Sequence, residues 1–256
     1  MTGLLGLIMN ANNLFDFGVC SFHKVEDDLI TCRNKSKLPD HAESVISVVF
    51  PCKTAELEQN PNEIFRLRCI ASQMLQMTSD ALRKAFEEYE FVWFLDNSPI
   101  PEVKAAAQSG LGIIGDSGLL ITPDYGSFCF TGSIVTDLQI PETGGKTEYC
   151  EHCKKCINLC PAHALSEETG FDKSSCVKYV SSLKTPGNTF LLRQGTAVKG
   201  CNLCREVCPY NQNAKSADNH PFIKAANHPE FMFTSDGGYK PMGGLGQERF
   251  KQFPGE

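Results

Sequence analysis

Short apolar runs and one long amphipathic stretch dominate the first 140 residues. Val45-Ile46-Ser47-Val48-Val49-Phe50, stopped by Pro51, predicts a buried strand, and Phe91-Val92-Trp93-Phe94-Leu95 predicts another. Leu119-Leu120-Ile121 and the run from Phe128 to Val135 are further strand candidates. Residues 62–89 place Ile64, Phe65, Leu67, Ile70, Met74, Leu75, Leu82 and Phe86 at helical spacing, with Ser79 or Asp80 suited to break and recap the helix. Pro101 suits the first residue of a short helix through Gln108, and Gly110 falls just past its end. Met1 to Asn10 is apolar without a basic leader, so it reads as the start of a buried helix or strand. Strands alternating with helices predict an α+β protein whose residues 1–140 form an α/β-like domain with a central sheet.

Pro141-Glu142-Thr143-Gly144-Gly145 has the composition of a linker. Residues 141–213 are rich in cysteine and read as a ferredoxin-like domain. Residues 214–256 are polar and glycine-rich and read as an irregular tail. No apolar run reaches the 18 residues of a membrane span. With no secretion signal, the chain reads as cytoplasmic, where thiols stay reduced and clustered cysteines favour metal over disulfides.

Cys150-x2-Cys153-x2-Cys156-x3-Cys160-Pro161 is the run that holds [4Fe-4S] clusters in bacterial ferredoxins. Two-residue gaps let three thiolates of one tight loop reach three corners of a cube, and the fourth cysteine points to the neighbouring cluster. Cys201-x2-Cys204-x3-Cys208-Pro209 is a second run whose first cysteine is displaced, and Cys176 can replace it. The crossed pattern assigns Cys150, Cys153, Cys156 and Cys208 to one cluster. It assigns Cys160, Cys176, Cys201 and Cys204 to the other. Structural zinc is the bland alternative, but it requires neither Cys-Pro termination nor this spacing. Cys20, Cys32, Cys52, Cys69 and Cys129 share no spacing and read as small buried hydrophobes.

Charge agrees with two clusters. Residues 1–149 carry 11 basic and 20 acidic side chains, whereas residues 150–256 carry 13 and 10. Four thiolates on a [4Fe-4S]2+ core leave about −2, so the basic excess of the cysteine-rich half balances its clusters. An acidic chain without a basic stripe is not, on composition, a binder of polyanions.

Gly110-Leu-Gly112-Ile-Ile-Gly115 matches a dinucleotide fingerprint in inverted context, because a helix precedes it and a strand follows. It reads instead as a helix cap with a tight turn, or as bare backbone where a flat cofactor lies close. Asp96 ends an apolar strand. Apolar neighbours there would hold it protonated as a general acid, and an Asx turn or helix cap is the bland alternative.

Taken in order, Asp96-x-x-Pro99, the glycine run, Leu119-Leu120-Ile121, Gly126-Ser127-Phe128-x-Phe130-x-Gly132, Thr136-Asp137 and the eight cysteines resemble the epoxyqueuosine reductase family from about Ser44 to Asn211. That family is related to the reductive dehalogenases. The displaced Cys176 and Cys208-Pro209-Tyr210-Asn211 carry the resemblance, with Tyr210 where the family usually has tryptophan and Asp116 where it usually has lysine. The resemblance implies a base-off cobalamin lined by Gly112, Gly115, Leu120, Ile121, Ser127 and Phe130, with Asp96 as proton donor. It also implies a low-potential donor of the flavodoxin or ferredoxin type, and tRNA or a smaller molecule as substrate. The chain reads as a short form without the family's C-terminal helical repeats. A non-catalytic double-cluster electron carrier is the alternative.

Overall fold

The computed structural model describes residues 2–14, 16–59, 63–182 and 201–227. Its centre is an antiparallel sheet of order β1-β2-β6-β3, built from β1 (Phe17–Ser21), β2 (Ser44–Pro51), β3 (Phe91–Phe94) and β6 (Cys129–Thr136). β2 and β6 pair along their full length, from Ser44↔Thr136 to Pro51↔Cys129. All eight residues of each are buried. Central strands covered on both faces favour apolar side chains on both, which is why β2 reads as a nearly continuous apolar run, whereas β6 buries Thr131, Ser133 and Thr136 among its apolar residues.

The two faces have different covers. Ile46, Val48 and Phe50 pack with α1 (Thr2–Ala11) and α3 (Glu63–Ala85), and with α8 (Pro221–Ala226). Val45 and Val49 point the other way, toward α4 (Glu102–Gln108) and its flanking segments. α2 (Ala55–Gln59) precedes α3. The result is an α+β arrangement with helices on both faces of one sheet.

Some details depart from the sequence expectations. α3 runs unbroken past Ser79 and Asp80. Ser79 is fully buried and its hydroxyl donates to Phe91 O at 2.7 Å, so a polar residue mid-helix marks a tie to β3 rather than a break. Pro101 caps α4 instead of opening it. Part of the expected irregular tail is helix α8, whose Phe222 packs against Phe50 at 5.0 Å between ring centroids. Gly243 to Gly246 lie outside the described residues.

β4 (Ile113–Ile114) and β5 (Leu120–Ile121) form a small hairpin immediately after α4. Beyond it lie α5 (Lys155–Leu159), the hairpin of β7 (Leu165–Ser166) and β8 (Gly170–Phe171), α6 (Val177–Ser182) and α7 (Leu203–Glu206). Among the described residues no helix is long and apolar enough to cross a membrane.

Candidate iron–sulfur and acid site

The eight motif cysteines are all free and none is fully buried. The loop carrying the first three turns left-handed at His152 (φ 52°) and Lys154 (φ 60°), which curls it before α5 begins. Burial raises the Cys208 thiol, and Cys153 and Cys150 push it further. Burial likewise raises Cys204, with Cys201 and Cys176 adding to it. Cys208 is thus within electrostatic reach of the first run and Cys204 within reach of Cys176, while Cys204 also acts on Cys156. Cys156 is pushed up to about 11 by burial and by Asp116. A metal must displace such protons, so cluster assembly releases acid. Arg205 acts on Cys204 as a counter-charge, and so does Lys178.

The cysteine region is fastened to the body by Asn211. Its Oδ1 accepts from Ser127 N at 2.7 Å, and its Nδ2 donates to Ser127 Oγ at 2.8 Å and to Arg205 O at 2.7 Å. Gly126 (φ +54°) is required beside it, because a Cβ there would collide with Asn211 Oδ1. The Tyr210 hydroxyl accepts from Glu151 N at 3.3 Å. A second fastening runs through the glycine hairpin, where Cys150 N donates to Ile114 O at 3.0 Å. Asp116 N lies 3.4 Å from Cys150 Sγ, and its carboxylate is 2.6 Å from His152 Nδ1.

The structure explains the glycine run without a nucleotide. Gly110 (φ +79°) closes α4, and a Cβ on Gly112 would collide with Ile121 O across the hairpin. Gly115, Leu120, Ile121, Ser127 and Phe130 are covered by protein atoms, whereas Leu111 to Ile114 stay half-exposed.

Asp96 follows β3, and the apolar surroundings expected for it are not there. Its side chain is more than half exposed, and Arg68 of α3 grips both oxygens, Nε to Oδ2 at 3.0 Å and Nη2 to Oδ1. The Arg68 guanidinium lies 4.8 Å over the Phe130 ring. Asp96 does not cap α4; Ser98 Oγ accepts from Ile100 N in the intervening turn instead. Asp96 (φ 55°) and Asn97 (φ 47°) are consecutive left-handed residues, a strain of about 1–3 kcal/mol each that persists only where surroundings enforce it. Enforcement comes from an unexpected quarter. Cys32 Sγ and Asn34 Nδ2 both donate to Asn97 O, at 3.2 and 3.1 Å, and Ile30 N donates to Pro99 O at 2.8 Å.

Two residues here had no sequence signal of their own. One is Arg68. The other is Glu102, on the first turn of α4, whose Oε1 is enclosed with no hydrogen-bond partner among the described residues. Its stem is partly exposed, but burial of the carboxyl, reinforced by Asp96, pushes it up to about 8. Burial and Asp96 also push the nearby Cys69 thiol up to about 11. A second carboxylate six residues after Asp96, across a Pro-x-Pro turn, was the available clue.

Residues 149–211 match the family described as 4Fe-4S double cluster binding domain. A curated epoxyqueuosine reductase from Synechocystis is 33% identical over 126 residues, 47% of this chain and 43% of that protein. The epoxyqueuosine reductase structure from Streptococcus thermophilus superposes with a TM-score of 0.69 at 18% identity, covering 84% of this chain and 67% of that one. A structure of epoxyqueuosine reductase with an epoxyqueuosine-modified tRNA-Tyr stem loop gives 0.67 at 17% identity, covering 87% and 68%. The chain is a relative of the epoxyqueuosine reductases. It spans between 34% and 68% of the length of the curated relatives. Both cysteine runs fall inside the matched double-cluster domain, so the cysteine-rich region of this reductase relative is built for two [4Fe-4S] clusters.

Proposed function

We propose that this chain is a double-[4Fe-4S], corrinoid-dependent reductase that removes an epoxide oxygen from a queuosine-type nucleoside, with Asp96 as the proton donor. Cys150, Cys153, Cys156 and Cys208 hold one cluster, and Cys160, Cys176, Cys201 and Cys204 hold the other. The observation that carries the reading is the mounting of a strained, arginine-gripped Asp96 on the same body as the cysteine loops, which are fastened to it through Asn211 and the glycine hairpin. The reductase part is read as residues 1–140 and the cluster part as 141–213.

The half-exposed strip Leu111 to Ile114 fits a flat corrin, lying between the Asp96 side of α4 and the Cys150 loop; Gly112, Gly115, Leu120, Ile121, Ser127 and Phe130 shape it, mostly from beneath. When bound, the clusters supply single electrons at low potential and the corrinoid supplies the two-electron chemistry at carbon. The chain's own residues do the rest. Asp96 protonates the departing oxygen. Arg68 fixes the direction of its carboxyl. The Cys32, Asn34 and Ile30 bonds hold the loop in place.

The tRNA substrate is supported by the relative solved with a tRNA stem loop. The electron donor would be a small low-potential carrier of the flavodoxin or ferredoxin type, in the cytoplasm. The relatives are reductases, which disfavours a plain electron carrier.

The test is anaerobic purification of the full chain. About eight irons per chain, a base-off corrinoid spectrum on adding cobalamin, and turnover of an epoxyqueuosine stem loop that Asp96→Asn abolishes are expected. Zinc in place of iron, or absent corrinoid binding, overturns the reading. Turnover of a small epoxide but not the stem loop would reassign the substrate alone.

A further inference from the structure

Asp96 poses a problem for the reading above. In this structure both of its oxygens are occupied as acceptors for Arg68. A carboxyl with a proton to spare is close by. Glu102 Oε1 is enclosed without a hydrogen-bond partner among the described residues, and Ser98 opposes its raised proton affinity only in part. Ser98 Oγ accepts from Ile100 N in the turn between the two carboxyls. The charged groups acting on Glu102 are Asp96, from the loop, and Arg68, from α3. Arg68 in turn feels Asp96, Glu102 and Cys52. Two neighbouring carboxyls in a partly dry site, only one of them paired with an arginine, do not both ionise readily.

We propose that Asp96 and Glu102 share one proton, stored on Glu102 while Arg68 grips Asp96 and passed to Asp96 when the grip opens. The proposal rests on Asp96 being the donor. The step moves one proton and no electrons. Glu102 loses its hydrogen, through a water, as Asp96 gains one; Asp96 gives it to the leaving oxygen, and solvent reprotonates Glu102. Glu102 touches no substrate and acts through Asp96. The arrangement lets an arginine-bound aspartate work as an acid, because substrate that displaces Arg68 removes the cation holding the negative charge on Asp96.

Infrared titration of the full chain reads the proton directly, without turnover. The wild type at neutral pH should show the carbonyl band of an un-ionised carboxylic acid that Glu102→Gln lacks. Asp96→Asn should keep that band but lose it at lower pH, since the like charge that holds the proton on Glu102 is gone. Absence of the band in the wild type, its survival in Glu102→Gln, or a midpoint unmoved by Asp96→Asn each overturns the shared proton; the last needs no Glu102 variant to fold. Turnover separates the two readings. Glu102→Gln should cut multiple turnover about tenfold and change its pH profile, whereas Asp96→Asn abolishes it. A wild-type profile in Glu102→Gln beside an inactive Asp96→Asn sinks the proton store and leaves Asp96 as donor. Full activity in Asp96→Asn sinks the donor reading and the transfer to Asp96 with it, even where the infrared pattern still shows a proton held on Glu102.

Discussion

Asn211 closes three hydrogen bonds at once, two of them with Ser127, and so ties the end of the second cysteine run to the turn before β6. The residue after Cys-Pro-Tyr is thus a structural clamp, and Gly126 is the space it needs. Asn211→Ala should cost about 3 kcal/mol, since it leaves buried Ser127 N unpaired. Gly126→Ala should cost at least as much, from the collision and the left-handed backbone together. Denaturant unfolding of the anaerobic protein checks both.

Cys176 is 25 residues from the run that the proposed ligand set has it complete. Cys176→Ala should lower iron from about eight to about four per chain, while Cys32→Ser should leave it at about eight. Iron and acid-labile sulfide analysis decides; equal losses in both would break the ligand assignment.

Glu102 makes stability fall with pH. Its folded value lies near 8, above the ordinary 4.5. At pH below 4 both states hold the proton and nothing is lost. Between about 4.5 and 8 the unfolded chain releases it and the folded chain does not, so the folded state weakens as pH rises. Glu102→Gln removes that slope. Its stability relative to wild type should rise by about 2 kcal/mol or more from pH 5 to pH 8, measured by urea titration at each pH.

Arg68→Lys keeps the charge but loses the two-point grip and the stacking over Phe130. Amide exchange at Asp96 to Ser98 should speed up about tenfold or more, corresponding to about 1.4 kcal/mol of lost protection. Unchanged exchange would mean that Cys32 and Asn34 alone hold the loop.

β2 was legible because both faces are buried and its run is mostly apolar; β6, also buried, interleaves Thr131, Gly132 and Ser133 and was legible mainly through Cys129-Phe130 and Ile134-Val135. β1 was not, since Phe17-Gly18-Val19-Cys20-Ser21 is a short edge strand with glycine inside it. The cysteine runs were legible because cluster chemistry fixes spacing along the chain. Arg68 and Glu102 were not, because their meaning comes from distance in space: one sits on the long helix, the other on a short one, and neither belongs to a motif. Asp96 was found for its place at a strand end, yet its environment was misjudged, since no pattern in the run Phe91–Leu95 announces an arginine from another helix.

The bond from Cys150 N to Ile114 O has a practical side. α4, which carries Glu102, runs directly into the hairpin that holds this rung. Air that strips the iron would therefore do more than cut the wiring. Slack in the cysteine loop would reach α4 through the paired backbone bonds of Ile114 with Glu148 and Cys150, so losing the iron would loosen the segment that carries Glu102 as well.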